Sequence, residues 1–234
     1  MAEMSTSLPD FVEVGDNYWY EVAFCLNDAG ATLISVANAH LAVEVLREAL
    51  AAIKIAVRPN DPKEGYTFDY FPRLKHMFSK VNNAMATAVM TDKCDVEDLH
   101  IFVLPMKIQQ VDEQSCQFCC AAILYNLAVS LHLLGLSERK QHHFHEAMNY
   151  YEKALELLFY DDDLTQSSLL IRAVLNNVGL VYRRYGEHEL AQEQFETISA
   201  ISDVCNDQED SHIFNNLIWN AFETSNKYNI SPAA

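Results

Sequence analysis

The fold of this chain is decided by residues 176–198, NNVGLVYRRYGEHELAQEQFETI. Gly179 is followed after 12 residues by Ala191, and Phe195 and Ile198 come after Ala191 at steps of four and three. These steps place three side chains on one face of an α-helix. A small residue on the preceding helix lets the second helix approach closely, and the aromatic ring fills the remaining gap. The stretch therefore predicts two antiparallel helices that interlock at Gly179.

Two other stretches repeat this order of residues. The first stretch contains Gly30, Ala42, Leu46 and Ala49. The second contains Ala128, Ala147, Tyr151 and Ala154. In the Ala128 copy, seven extra residues separate the small residue from the second helix. We assign them to a turn at residues 136–142, directly after Gly135. The sequence thus predicts three interlocked helix pairs.

The three stretches resemble tetratricopeptide (TPR) repeats. The best match is residues 176–198, through Gly179, Tyr182, Gly186, Ala191 and Phe195. They depart from the TPR pattern because its first aromatic residue is replaced by Leu124 or Leu175, and because no proline closes a repeat. The interrupted layout also resembles a group of TPR-like proteins from photosynthetic protists, a resemblance that implies no biochemical activity.

We expect a mainly α fold, an interrupted TPR-like α-solenoid of antiparallel helix pairs with an inserted helix and a small β-ribbon. The expected order is an N-terminal segment (1–20), a first pair (21–58), an insertion (59–114), two further pairs (115–202) and a capping helix with its tail (203–234). Within the insertion, aromatic and β-branched residues predict strands at 65–71 and 99–109, and helical spacing predicts a helix at 72–90.

The composition favours a folded, helical and acidic protein. Half of the 234 residues are hydrophobic, and Gly and Pro number only six each, fewer than a many-turned β-protein needs. The formal net charge of −17 repels phosphate, so we expect no nucleic-acid partner. There is no continuous apolar run of about 18 residues and no basic leader followed by an apolar core. We therefore expect no membrane insertion and an intracellular, cytoplasmic protein.

The TPR resemblance implies a concave groove lined by the first helix of each pair. The residues that it places in contact with a partner are Asn27, Tyr125, His132, Asn176, Leu180, Arg183, Arg184, Asn215 and Trp219, with Phe24, Ile34, Val129 and Phe222 beside them. An Asn amide can donate and accept at once, so it can hold a ligand's peptide bond. The alternative is that these Asn residues bond to the backbone of a neighbouring helix.

Arg183 and Arg184 are adjacent cations in a strongly acidic chain. They can hold a carboxylate or phosphate of a partner through two hydrogen bonds each. Alternatively, they pair with Glu187 or Glu189 on the surface, an interaction that contributes little.

A cluster of cysteines raises the question of a metal site. Zinc would need four converging ligands, drawn from Cys116, Cys119 and Cys120 together with His142, His143 and His145. The favoured interpretation is that the thiols pack as small hydrophobic groups in a helix and that the histidines lie in a solvated loop. Residues 161–163, three aspartates, are interpreted as an acidic stretch that precedes a helix.

We expect a protein-interaction module or scaffold that binds a peptide segment or a helix of a partner, without a cofactor or metal. No phosphate-loop, dinucleotide, zinc-protease or serine-hydrolase motif is present, so we expect no enzyme. One alternative is a structural subunit that uses its outer face, with Ile101 and Phe102 as candidate contacts. The other is a metal-binding protein or enzyme that uses the Cys and His residues. The oligomeric state is left open.

Overall fold

The structure is a computed structural model that describes residues 18–57, 70–87, 105–108, 116–159 and 164–204. Nearly all of these residues lie in seven helices: α1 (Tyr18–Ser35), α2 (Ala39–Val57), α3 (Tyr70–Thr87), α4 (Cys116–Glu138), α5 (Gln141–Phe159), α6 (Leu164–Tyr185) and α7 (His188–Val204). None of the described residues lies in a strand. The mainly α fold expected from the sequence is therefore confirmed.

Three helix pairs form between neighbours in the chain: α1 with α2, α4 with α5, and α6 with α7. Each turn contains one residue in the left-handed conformation, Ala37, Arg139 or Gly186 (φ 59°, 56° and 80°). In the first turn the Asn38 N–H donates to the Leu33 carbonyl at 2.9 Å. This bond satisfies a carbonyl that the end of α1 would otherwise leave unpaired, so the chain can reverse sharply.

The interlocking predicted at Gly30 and Gly179 is confirmed. A Cβ atom added at Gly30 would lie 2.5 Å from Leu46 Cγ, and one added at Gly179 would lie 2.8 Å from Phe195 Cζ. Both distances are shorter than van der Waals contact, so only glycine lets these helices approach so closely. The large residue is in each case the one that the repeat spacing predicts.

The chain turns within the predicted residues 136–142, but the turn is shorter than predicted, because five of these seven residues are helical. Only Arg139 and Lys140 lie between α4 and α5. Gly135 lies inside α4, where an added Cβ would be 2.9 Å from the Phe144 ring. The other five residues of the stretch extend the end of α4 and the beginning of α5.

The helix pairs pack against one another in chain order. α2 contacts α4, α5 contacts α6, and α4 also contacts both α1 and α6. Arg47 on α2 forms an ion pair with Glu146 on α5. One continuous cluster of buried apolar side chains runs through all three pairs. The first helices of the pairs are therefore neighbours, which is what a shared binding face requires.

The inserted helix is confirmed as α3, which begins two residues before the prediction. It buries Leu74, Met77 and Val81 in the common core, and Arg73 forms an ion pair with the buried Glu48 of α2. The strand predicted at residues 65–71 is wrong at its end, because Tyr70 and the residue after it belong to the first turn of α3. The rest of that strand lies outside the described residues.

Of the second strand, predicted at 99–109, the structure describes residues 105–108, and they pair with no strand. Ile101 and Phe102 lie outside the described residues. The same holds for the terminal cap predicted at 203–234, apart from Val204 and the residue before it, which complete α7. The tripled aspartate at 161–163 also lies outside them.

Helix α4 is long and apolar enough to cross a membrane by length and composition alone, with a mean hydropathy of 1.8 over an 18-residue window. In this structure 78% of that window is buried inside the protein. α4 packs against α1, α2, α5 and α6. Its apolar composition is therefore accounted for by its position as the central helix of the core.

Candidate functional site

A short extended segment of the chain, residues 105–108, lies across the neighbouring helices α1 and α4. Asn126 of α4 holds it by both backbone groups of one residue: the Met106 N–H donates to Asn126 Oδ1 at 2.9 Å, and Asn126 Nδ2 donates to the Met106 carbonyl at 2.8 Å. Asn126 is fully buried. One side-chain amide thus satisfies the donor and the acceptor of a single residue of extended backbone.

Helix α1 contributes two further polar side chains to the same site. Asn27 Nδ2 donates to the Met106 carbonyl at 2.9 Å, and Asn27 Oδ1 accepts a bond of 2.9 Å from Asn126 Nδ2. Asp28 Oδ1 accepts the Ile108 N–H at 3.1 Å. The two helices therefore hold the segment at residues 106 and 108 through its backbone. Because buried polar groups must be paired, the two asparagines also fix each other's orientation.

The side chains of the segment alternate between the protein and solvent. Ile108 is 8% exposed, and Met106 packs partly against the core, whereas Lys107 between them is exposed. Alternation of this kind is what an extended strand presents to a surface. The site therefore binds the backbone of residues 106 and 108 and accommodates the aliphatic side chain of Ile108.

A second polar network joins the middle helix pair to the third. Asn177 Nδ2 on α6 donates to the Tyr151 hydroxyl of α5 at 3.1 Å, and Asn177 also bonds the hydroxyl of Tyr125 on α4. The Tyr151 hydroxyl makes a long hydrogen bond of 3.5 Å to His132 Nδ1. All four side chains are buried. This network therefore connects three helices inside the core.

Burial shifts the pKa values in this network strongly. Burial, with a smaller contribution from the charge of Arg184, lowers the pKa of His132 to about 3, so the imidazole is neutral. Burial also raises the pKa of Tyr151 far above its usual value. The network thus consists of neutral groups at physiological pH. Protonation of His132 would place a positive charge in the core, away from water, which is unfavourable.

The structure places the nine residues predicted to contact a partner in three environments. Asn27, Tyr125, His132 and Asn176 are buried, Leu180, Arg183 and Arg184 are partly or fully exposed on α6, and Asn215 and Trp219 lie outside the described residues. Asn27 reaches residue 106, as described above. Tyr125 and His132 face Tyr151 instead, because the small Ala128 between them leaves room for that ring. Asn176 donates to Asn177 Oδ1 at 3.0 Å within α6.

The four residues predicted to lie beside these contact residues also differ in their environments. Ile34 and Val129 are buried, Phe24 is partly buried, and Phe222 lies outside the described residues. Ile34 and Val129 belong to the apolar core, so they stabilise the fold.

Arg184 lies against an aromatic side chain. Its guanidinium is 4.7 Å from the centre of the Phe144 ring, and Phe144 in turn meets His132 edge to face at 5.5 Å. A cation over a ring face is attracted to the negative face of the ring. Arg184 as a whole is nevertheless exposed to solvent. Together with Arg183 it places positive charge at the end of α6.

Sequence reasoning missed the two residues that contribute most to the site besides Asn27. Asp28 and Asn126 each lie two positions before a small packing residue, and so does Asn177. The prediction examined the position three residues before the small residue instead. A lone Asn in the apolar run of α4 was the available signal, because such a residue must be hydrogen-bonded.

The cysteines and histidines of the possible metal site lie apart. Cys116, Cys119 and Cys120 occupy the first two turns of α4, and the histidines lie in the first two turns of α5, not in a loop. Because the helices are antiparallel, the length of α4 separates the two sets by roughly 30 Å, at about 1.5 Å per residue. The two sets cannot share one ion. Within the described part of the chain, no group of three His, Cys, Asp or Glu residues can hold a metal.

One comparison with known proteins gives a match. The tetratricopeptide repeat family matches residues 127–158, which cover the second half of α4 and nearly all of α5. Repeats of this family typically bind other proteins and are generally not enzymes. No curated protein and no solved structure shows significant similarity to the chain, so the likeness to proteins of photosynthetic protists has no support. The helical fold and this match together support a TPR-like repeat protein.

Proposed function

We propose that this protein is an interaction module whose helix pairs stack as an α-solenoid and whose first helices form a binding face. The face consists of α1, α4 and α6, and it binds an extended segment of a partner protein. The observation that carries the proposal is the pair of hydrogen bonds between the Asn126 side chain and the backbone of Met106. A buried amide that holds extended backbone is the chemistry that peptide recognition needs.

The energetics favour binding through this face. Bonds to backbone are independent of sequence and fix the register of the bound segment, and apolar side chains add affinity by burial. Leu180 is partly exposed on α6, and Arg183 and Arg184 follow it on the same helix. In a chain of charge −17 this arginine pair attracts a carboxylate or phosphate on the partner.

A photo-crosslinking amino acid at Leu180 tests the binding face in cells. The matched control carries the same amino acid at Ala200, which is exposed on α7. We expect the Leu180 position to crosslink to one continuous segment of a partner, identified by mass spectrometry, and a synthetic peptide of that segment to suppress the crosslink. Crosslinks from Ala200 in place of Leu180 would instead identify the outer face as the interface and refute the proposal.

A further inference from the structure

Resting on the function proposed above, we infer that residues 105–108 are an internal occupant of the binding face that competes with the partner. The partner then supplies an extended segment with an aliphatic residue two positions after the residue that Asn126 holds. Release of residues 105–108 from the face must then precede binding of the partner segment.

The hydrogen bonds of the segment suit an exchangeable ligand. The bonds described above use the N–H and carbonyl of Met106 and the N–H of Ile108, which every residue except proline can supply. None of them depends on the side chains of residues 106 and 108. A different extended segment can therefore make the same bonds to the same three side chains.

The apolar contact defines the partner more narrowly. Ile108 is the most buried residue of the segment, two positions after Met106, while Lys107 between them is exposed. The site thus requires an aliphatic side chain at the position of residue 108 and tolerates any residue at the position of residue 107. An extended strand directs its first and third side chains to the same side.

The connection to α4 explains why the site is occupied in the absence of a partner. Only residues 109–115 join the segment to the first residue of α4. So short a connection keeps the segment near the face at an effective concentration in the millimolar range. A free peptide of the same sequence must compete with it, so its apparent affinity is lowered by the fraction of molecules with an open site.

The experiment measures binding of a fluorescent peptide with the sequence of residues 103–110, VLPMKIQQ, to the full chain by anisotropy. The variant Met106→Pro lacks the N–H that donates to Asn126 Oδ1, so the internal segment is released while the site stays intact. The matched control Lys107→Ala changes the exposed residue of the same segment. We expect Met106→Pro to bind the peptide at least about tenfold more tightly than the wild type, and Lys107→Ala to bind like the wild type.

Adding Asn126→Ala to Met106→Pro should remove the gain, with circular dichroism showing that both variants are folded. If Met106→Pro does not fold, Ile108→Ser releases the apolar contact and replaces it in the same measurement. Equal binding by the wild type and the released variants overturns the inference, and so does a gain that persists without Asn126. When Leu180 still crosslinks to a partner in that case, only this inference fails. When Leu180 crosslinks to nothing, the proposed function fails.

Discussion

Gly179 on α6 and Phe195 on α7 are in closer contact than any other residue type at position 179 would allow. A Cβ atom there would lie 2.8 Å from Cζ of the ring, and Phe195 is 1% exposed, so the ring has no open space to enter. Gly30 and Leu46 repeat the relationship in the first pair. Close approach of the two helices in these pairs thus depends on a glycine.

Replacing Gly179 by Leu should separate α6 from α7. We expect a loss of about 3 kcal/mol or more in the free energy of unfolding, because the added side chain overpacks a site without free volume. Urea denaturation measures the loss, and hydrogen exchange shows whether it is confined to these two helices. The control is Gly186→Ala, where no atom lies within 4 Å of the added Cβ and only the left-handed backbone (φ 80°) is strained. It should cost about 1 kcal/mol. An unchanged Gly179→Leu protein would contradict the assigned packing face.

The sequence was sufficient to predict these pairs because their signal is local. The small residue and its large partner lie 16 residues apart in both, from Gly30 to Leu46 and from Gly179 to Phe195. The middle pair was predicted correctly as a pair, but its turn is shorter than the predicted residues 136–142. A turn was expected directly after Gly135, whereas Gly135 lies inside α4 and contacts Phe144. Glycine permits both, and spacing alone does not distinguish them.

The site itself could not be predicted from local spacing. Asn27 and Met106 are separated by 79 residues, and their contact depends on how the insertion crosses α1 and α4. Neither helical period nor composition specifies that path. The presence of the polar Asn126 in an apolar helix is a signal that its amide needs a hydrogen-bond partner, but that signal does not identify the partner.

Acid should destabilise the protein through His132. Its folded-state pKa of about 3 lies below the usual 6.5, so folding favours the neutral form. The contribution is fully present above pH 6.5 and is lost as the pH falls from there towards 3. Each pH unit within this window should cost about 1.4 kcal/mol. Urea denaturation at several pH values measures the slope.

The substitution His132→Phe isolates this effect, because the ring packs against Phe144 and Tyr151 in a similar volume. The variant should lack the part of the pH dependence that begins at 6.5. His76→Phe on α3 is the control, since that histidine is exposed. Parallel pH profiles for the wild type and His132→Phe would show that the histidine is not buried as described.

Cys116 should be the most reactive of the described thiols at neutral pH. A hydrogen bond from Cys120, assisted by one from Tyr20, lowers the pKa of Cys116 to about 6, although partial burial opposes the shift. The thiolate is the reactive form, so half of the maximal alkylation rate should be reached near pH 6 instead of about 8.5. Mass spectrometry of iodoacetamide labelling between pH 5 and 9 measures this. Cys120→Ala removes the main donor and should move the midpoint upwards. A wild-type midpoint above 8 would be inconsistent with the hydrogen bond.

Reversing the charges of Arg183 and Arg184 should weaken binding of the partner segment that Leu180 contacts. The double variant Arg183→Glu with Arg184→Glu turns an attractive site for a carboxylate or phosphate into a repulsive one. It also removes the contact of Arg184 with Phe144, at a cost of about 0.5–1 kcal/mol in stability.

The control for net charge is Lys75→Glu with Lys153→Glu, which alters two exposed lysines on α3 and α5 by the same amount. Affinity for the identified segment is compared by titration at low and at physiological salt. We expect a loss of at least about tenfold for the arginine variant alone, smaller at high salt because screening weakens the interaction. Equal losses for both double variants would mean that overall charge repels the partner and that the arginine pair makes no specific contact. Unchanged affinity in both would contradict the role proposed for the arginine pair.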